Sequence, residues 1–185
     1  MPRKEDRPRR PRLVEPDWRS RMVVRRTLTL NSPEVKDLSN GIIPICAACC
    51  QIGLTLQRYA EDVRVLSLLA AVDEEILKDL GDKLEAEYKR REVKASEEGV
   101  QREAGYPNPV KVEVDITHPY GLKYVKMVEL VDRLILLLGD LWQAGVIKDV
   151  EYSKTKREWW KAMREAGFQI TNLARKTLAE HRKAA

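Results

Sequence analysis

Cysteine and phenylalanine are scarce in this chain of 185 residues, which has three Cys and one Phe. The cysteines, Cys46, Cys49 and Cys50, fall within five positions, and an odd number so closely spaced cannot build a disulfide framework. The longest apolar run, 42–50, has nine residues and contains Pro44, well short of the roughly 20 residues that span a bilayer. No apolar signal segment follows the N-terminal charges. The sequence therefore predicts a cytoplasmic protein with no membrane partner.

Catalytic and metal-binding motifs are missing as well. Glycine-rich phosphate loops, G-x-S-x-G elbows and H-E-x-x-H helices are absent from the sequence. No second pair of cysteines accompanies Cys46 and Cys49 to complete a four-ligand zinc motif, and His118 and His181 are the only histidines. The cysteine cluster is interpreted either as a reactive thiol at a helix start or as small buried side chains. We predict that the protein is not an enzyme, has no metal or other cofactor, and uses His118 as a turn residue.

Positive charge is abundant, and it is concentrated at the two ends of the chain. Residues 1–26 hold ten Lys or Arg against four acids, residues 151–185 hold nine against four, and the middle, 27–150, carries a net charge of −6. Lys and Arg gathered on one surface attract a polyanion more strongly than the same residues scattered among acids. Nucleic acid is the first partner that this distribution predicts.

The composition predicts two parts. Residues 1–20 contain four prolines among alternating charges, a composition that cannot bury apolar surface, so we predict a basic, disordered arm there. The remainder is long enough for one good core and not for two independent domains. We therefore predict a single, mostly helical domain over residues 21–185.

Apolar residues at steps of three and four predict five helices in this domain. A short helix runs over 32–39 with Ser32 as its cap, and a core helix runs from about 44 to 66. After a break at 71–73, a third helix covers 76–88 and ends in the charged run 89–98. A loop covers 99–109. The last two helices run over 121–145 and from a cap at Ser153, with an interruption at Gly167.

Two segments alternate with the period of two that is typical of half-buried strands. In 22–31 the side chains of Arg25, Thr27 and Thr29 share one face, and in 110–116 the alternation is the clearest in the chain. A ribbon needs a second strand beside 22–31. That strand comes either from another subunit or from 110–116.

A two-stranded ribbon fits the major groove of DNA, where Arg pairs with guanine and Thr meets a base edge or a thymine methyl. The outward face of 22–31 offers this arrangement through Arg25, Thr27 and Thr29. The alternative is that both threonines are ordinary solvent-facing strand residues. A helix beginning at Ser32 favours the DNA interpretation, because a helix N-terminus binds phosphate and sets the register of the strand on the duplex. A strand, a short helix and a longer helix in this order look like the ribbon-helix-helix arrangement.

Several short segments together resemble the AcaB-type proteins of conjugative plasmids and integrating conjugative elements. They are 28–32, 38–41, 114–121 with its Pro-Tyr-Gly turn, 129–132 and 141–147. The resemblance spans about residues 22–170. It implies a transcriptional activator of transfer genes that carries a ribbon-helix-helix DNA-binding element. The fold class that we predict is mainly α with a small β component, in which the ribbon-helix-helix-like strand and helices are extended by a helical bundle.

The resemblance also implies roles for residues. The strand enters the major groove of promoter or operator DNA, its outer face reads bases, and Arg26 and the helix start at Ser32 contact the backbone. The arm has no counterpart in that family, and its positive charge alone predicts added affinity that is independent of sequence and falls with salt. The predicted DNA-binding residues are Arg9, Arg10, Arg12, Arg21, Arg25, Arg26, Thr27, Thr29, Asn31 and Ser32. A homodimer is expected, and the alternative is an adaptor of the DNA-transfer machinery that binds nucleic acid without reading its sequence.

Overall fold

The computed structural model of the protein describes residues 24–32, 35, 48, 52, 63–101 and 108–184. These residues form a mainly α fold with one two-stranded sheet, which confirms the predicted fold class. The predicted arm, the cysteine cluster and most of the two helices predicted over 32–66 lie outside the described residues. The elements are β1 (Val24–Leu30), α1 (Val63–Ala71), a π-helical segment (Val72–Lys78), α2 (Asp79–Glu97), β2 (Val110–Ile116), α3 (Pro119–Gln143) and α4 (Asp149–Ala184).

The sheet is a ribbon built by one chain. Strands β1 and β2 pair antiparallel, with Val24 opposite Ile116 and Leu30 opposite Val110. Of the two sources of a second strand, the structure therefore uses 110–116. The inner face of the ribbon packs on α3 and contributes five core side chains that are at most 6% exposed: Leu28, Leu30, Val112, Val114 and Ile116.

Helix α3 is the centre of the core, and each of its ends lies two residues before the predicted position. His118 has extended backbone and accepts a hydrogen bond at Nδ1 from the Tyr120 amide, 3.3 Å away, while Pro119 occupies the first turn. Gly145, at φ 74°, adopts the left-handed conformation that ends the helix. Between these points α3 buries 14 residues against the ribbon, α2 and α4.

The helix break predicted at 71–73 is wrong, because α1, the π-helical segment and α2 form one continuous helical run. A π-helical turn accommodates an extra residue without ending the helix, so the apolar stripe changes phase instead of stopping. Val72 and Leu77 stay buried on the core side, while the acids of the segment face outward or sit half-buried.

The charged run 89–98 was predicted to end the helix, yet α2 continues to Glu97. Arg90 and Arg91 both donate to the Glu87 carboxylate one turn earlier, and Arg91, which is 5% exposed, also donates to Glu151 of α4. Burial opposes the charge on Glu87, but the hydrogen bonds from the two arginines outweigh it and lower the pKa of the carboxyl. The run is therefore helical because one of its arginines ties α2 to α4.

Helix α4 is longer than predicted. It begins at Asp149 rather than at Ser153, and it passes through Gly167 without interruption. A glycine inside a helix costs about 1 kcal/mol relative to alanine, and here the flanking Met163 and Ile170 are fully buried in the core. The Tyr124 hydroxyl of α3 donates to the Met163 carbonyl over 2.9 Å, which fixes the two helices against each other. Across the described ranges, no helix has the length and hydrophobicity of a membrane span.

Candidate nucleic-acid interface

The outer face of the ribbon is a flat array of exposed polar side chains. Each strand contributes every second residue, and the register places them in three cross-strand pairs. The structure thus brings together three of the predicted base-reading residues and adds three from β2 that sequence reasoning did not assign. The pairs are Arg25 with Asp115, Thr27 with Glu113, and Thr29 with Lys111.

The charges of this outer face balance. Arg25 and Lys111 are offset by Glu113 and Asp115. The Arg25 Nε donates to Asp115 Oδ1 at 2.8 Å and its Nη2 lies 3.4 Å from Oδ2, with 68% and 49% of the two side chains exposed. This hydrogen bond raises the pKa of Arg25 and lowers the pKa of Asp115. The face is a mixed set of donors and acceptors, not a positively charged patch.

The junction after β1 is closed by a carboxylate from α3. Asp132, 3% exposed, accepts from the Ser32 amide at 2.8 Å, from the Asn31 amide at 3.0 and 3.1 Å, and from the Asn31 side chain at 3.0 Å. Ser32 is fully buried, and its hydroxyl accepts from the Val35 amide at 3.4 Å, which agrees with its predicted capping role. Asn31 is half-buried.

The phosphate contact predicted at the helix start of Ser32 stays a prediction, and this geometry limits the groups that could make it. The amides of Ser32 and Asn31 already donate to an anion, the Asp132 carboxylate, so neither is available to a DNA phosphate. The sequence showed Asp132 inside an apolar helix, where a carboxylate is unusual, but not which residues it would bind. The junction is a structural element that holds β1 on α3.

Arg26 points away from the outer face. Its Nη2 donates to Glu129 Oε2 of α3 at 2.9 Å, and the two side chains are 37% and 26% exposed. The pair lies at the edge of an open groove of about 530 Å³ between α3 and the helical run 72–85, lined also by Lys78, Lys126 and Arg133. The predicted backbone contact of Arg26 would require this ion pair to exchange partners.

A basic surface lies on α4. Its exposed side includes Arg157, Arg164, Arg175 and Lys176. The Arg164 guanidinium lies over the rings of Trp160 and Phe168, with 5.3 and 5.6 Å from its carbon to the centroids. The predicted contacts Arg9, Arg10, Arg12 and Arg21 lie outside the described residues, so the structure does not locate them.

A comparison of the fold with solved structures agrees with the resemblance of the short sequence segments to AcaB-type proteins. The fold is similar to that of AcaB from uropathogenic E. coli, whose crystal structure superposes with a TM-score of 0.79 and 16% sequence identity. The superposition covers 89% of this chain and 86% of AcaB. No family model matches the chain, and no curated protein matches its sequence. The AcaB-like fold that the sequence predicted is confirmed.

Proposed function

We propose that this protein is a sequence-specific regulator that binds double-stranded DNA through the outer face of its ribbon and activates conjugative transfer genes. The observation that carries the proposal is the exposed array of Arg25, Thr27 and Thr29 opposite three polar residues of β2. The proposed association of this protein with transfer genes rests on the segments that resemble the AcaB family and on the AcaB-like fold.

The dimensions of the ribbon suit the groove. Neighbouring strands are about 5 Å apart and alternate residues about 7 Å apart along each strand. The array therefore fits within a major groove about 12 Å wide. Arg supplies donors to guanine O6 and N7, Thr contacts a base edge or a thymine methyl, and a carboxylate accepts from cytosine N4. All three kinds of side chain stand on this face.

Specificity and affinity are divided between surfaces in this proposal. Because the outer face is neutral, it adds little attraction to phosphates, and discrimination between bases is its contribution. Attraction to the backbone comes from the basic arm and from α4, and it falls steeply as salt rises. A ribbon completed within one chain also changes the role of the proposed homodimer, which would place two ribbons on two half-sites of an operator.

Fluorescence anisotropy tests the proposal. Labelled DNA from upstream of the protein's own operon is titrated with the protein at two salt concentrations and with excess random duplex. Binding to one fragment should survive the competitor. Arg25→Ala and Thr27→Ala should lower discrimination by about tenfold each. The matched control Arg90→Ala removes an exposed arginine from α2 and should leave discrimination unchanged.

The adaptor alternative is favoured by one observation, the exposed basic side of α4 beside a neutral ribbon. It predicts that random duplex abolishes all binding. It also predicts that Arg157→Ala and Arg175→Ala weaken binding to every sequence equally, while ribbon variants have no effect.

A further inference from the structure

Arg25 is held by a residue of the neighbouring strand. Its partner Asp115 stands directly across the ribbon, and the contact uses one particular edge of the guanidinium, the edge formed by Nε and Nη2. The other edge, formed by Nη1 and Nη2, points away from the carboxylate because the guanidinium is planar and rigid. That free edge is the one that matches the O6 and N7 acceptors of guanine.

We infer that Asp115 is a positioning residue that holds Arg25 for end-on, bidentate recognition of guanine. This inference rests on the proposed function and names a residue outside the predicted set. The cross-strand contact restricts the rotamers of a long side chain in advance, so less conformational entropy is lost when the base is bound. Guanine does not have to displace Asp115, because the two partners use different edges of Arg25.

The opposite role for Asp115 makes a different prediction. If the carboxylate competed with DNA for Arg25, its removal would free the arginine and strengthen binding to the cognate site. If it positions Arg25, its removal weakens discrimination for guanine even though it also removes a negative charge from a DNA-facing surface. The sign of the effect distinguishes the two roles.

Glu113 is a natural control for charge. It lies on the same strand and the same face, opposite Thr27, and its negative charge also raises the pKa of Arg25. It makes no hydrogen bond to Arg25. Asp115→Asn and Glu113→Gln therefore remove one negative charge each from the outer face, but only the first alters the contact that orients the guanidinium.

The test uses the full-length protein and a duplex selected by it from a library of random base pairs. Each guanine of the selected duplex is replaced in turn by 7-deazaguanine, which lacks the N7 acceptor, and the guanine read by Arg25 is the one whose effect disappears in Arg25→Ala. At that guanine we expect Asp115→Asn to reduce the penalty of the replacement by about fivefold. Glu113→Gln should leave it intact, and in the Arg25→Ala background Asp115→Asn should have no further effect.

Three outcomes are possible. The inference is supported if Asp115→Asn reduces the affinity penalty of replacing that guanine and Glu113→Gln does not. An unchanged penalty, or tighter cognate binding with the penalty retained, overturns it and leaves the proposed function standing. If the library yields no preferred duplex with the unmodified protein, the proposed function itself fails, and this result is visible before any variant is made. Circular dichroism of each variant verifies folding.

Discussion

Strand β1 carries two sets of polar groups that are held in opposite ways. At its end, Asn31 and Ser32 donate to the buried Asp132 carboxylate, which is 3% exposed. On its outer face, Arg25 is held by Asp115 in a contact open to water. A buried acceptor stabilises the fold because its loss leaves donors without a partner away from solvent, whereas an exposed pair contributes little to stability. The junction thus anchors the strand, and the face remains available for a ligand.

The largest effect is expected at the junction. Asp132→Ala leaves three donors of Asn31 and Ser32 without their acceptor, and one of them, the backbone amide of Ser32, is buried. We expect the free energy of unfolding to fall by about 3 kcal/mol, measured by urea denaturation. The buried position of Ser32 adds to the penalty, since water cannot replace the carboxylate there.

Two controls define this prediction. Asp132→Asn retains one acceptor oxygen and should lose roughly half as much stability. Asp82→Asn removes a carboxylate from an exposed position of α2 and should have no measurable effect. Equal stability of Asp132→Ala and the parent protein would mean that the junction does not anchor β1.

An intermediate effect is expected for Arg26, the neighbour of Arg25 in sequence. Arg26→Ala leaves the half-buried Glu129 without its partner, and we expect a loss of about 1 kcal/mol. Because Arg26 faces α3, discrimination between DNA sequences should not change. If Arg26→Ala altered specificity as strongly as Arg25→Ala, the division of β1 into an anchored side and a DNA-facing side would be incorrect.

Local patterns were sufficient to predict part of this arrangement. The alternation in 110–116 and the cap and glycine of α3 are decided by neighbouring residues, and both elements were predicted with nearly the observed bounds. The missed extension of α2 came from a partner distant in sequence, and the missed continuity at 71–73 came from a π-helical segment that shifts the apolar stripe. Arg91 keeps the charged run helical through Glu151, 60 residues away, and no local pattern reveals that contact.

The candidate site was half predictable for the same reason. Arg25, Thr27 and Thr29 were found because they alternate along one strand. Lys111, Glu113 and Asp115 share their face only through strand pairing, which the sequence left open between two partners. Asn31 and Asp132 are 101 residues apart, so the sequence likewise did not reveal that Asn31 donates to the Asp132 carboxylate.

A smaller effect is expected from His118, which lies just after β2 and is only partly buried. Burial lowers the pKa of His118, so the folded state favours the neutral ring, whose Nδ1 accepts from the Tyr120 amide. As the pH falls through the ordinary value of about 6.5, the unfolded chain binds a proton that the folded chain resists, and stability decreases. Thermal melts between about pH 7.5 and pH 5 should show this decrease. His118→Asn, which can still cap the helix, should flatten the slope.

The smallest effect on stability is expected for Arg25, where the largest effect on DNA recognition is also expected. Arg25→Ala removes an exposed ion pair with Asp115 and touches no core residue, so urea denaturation should give the midpoint of the parent protein. Discrimination in the anisotropy assay should nevertheless fall by about tenfold. A loss of stability comparable to that of Arg26→Ala would show that the outer face helps to hold the ribbon together. Unchanged stability together with lost recognition would mean that the Arg25 side chain serves DNA binding and does not stabilise the fold.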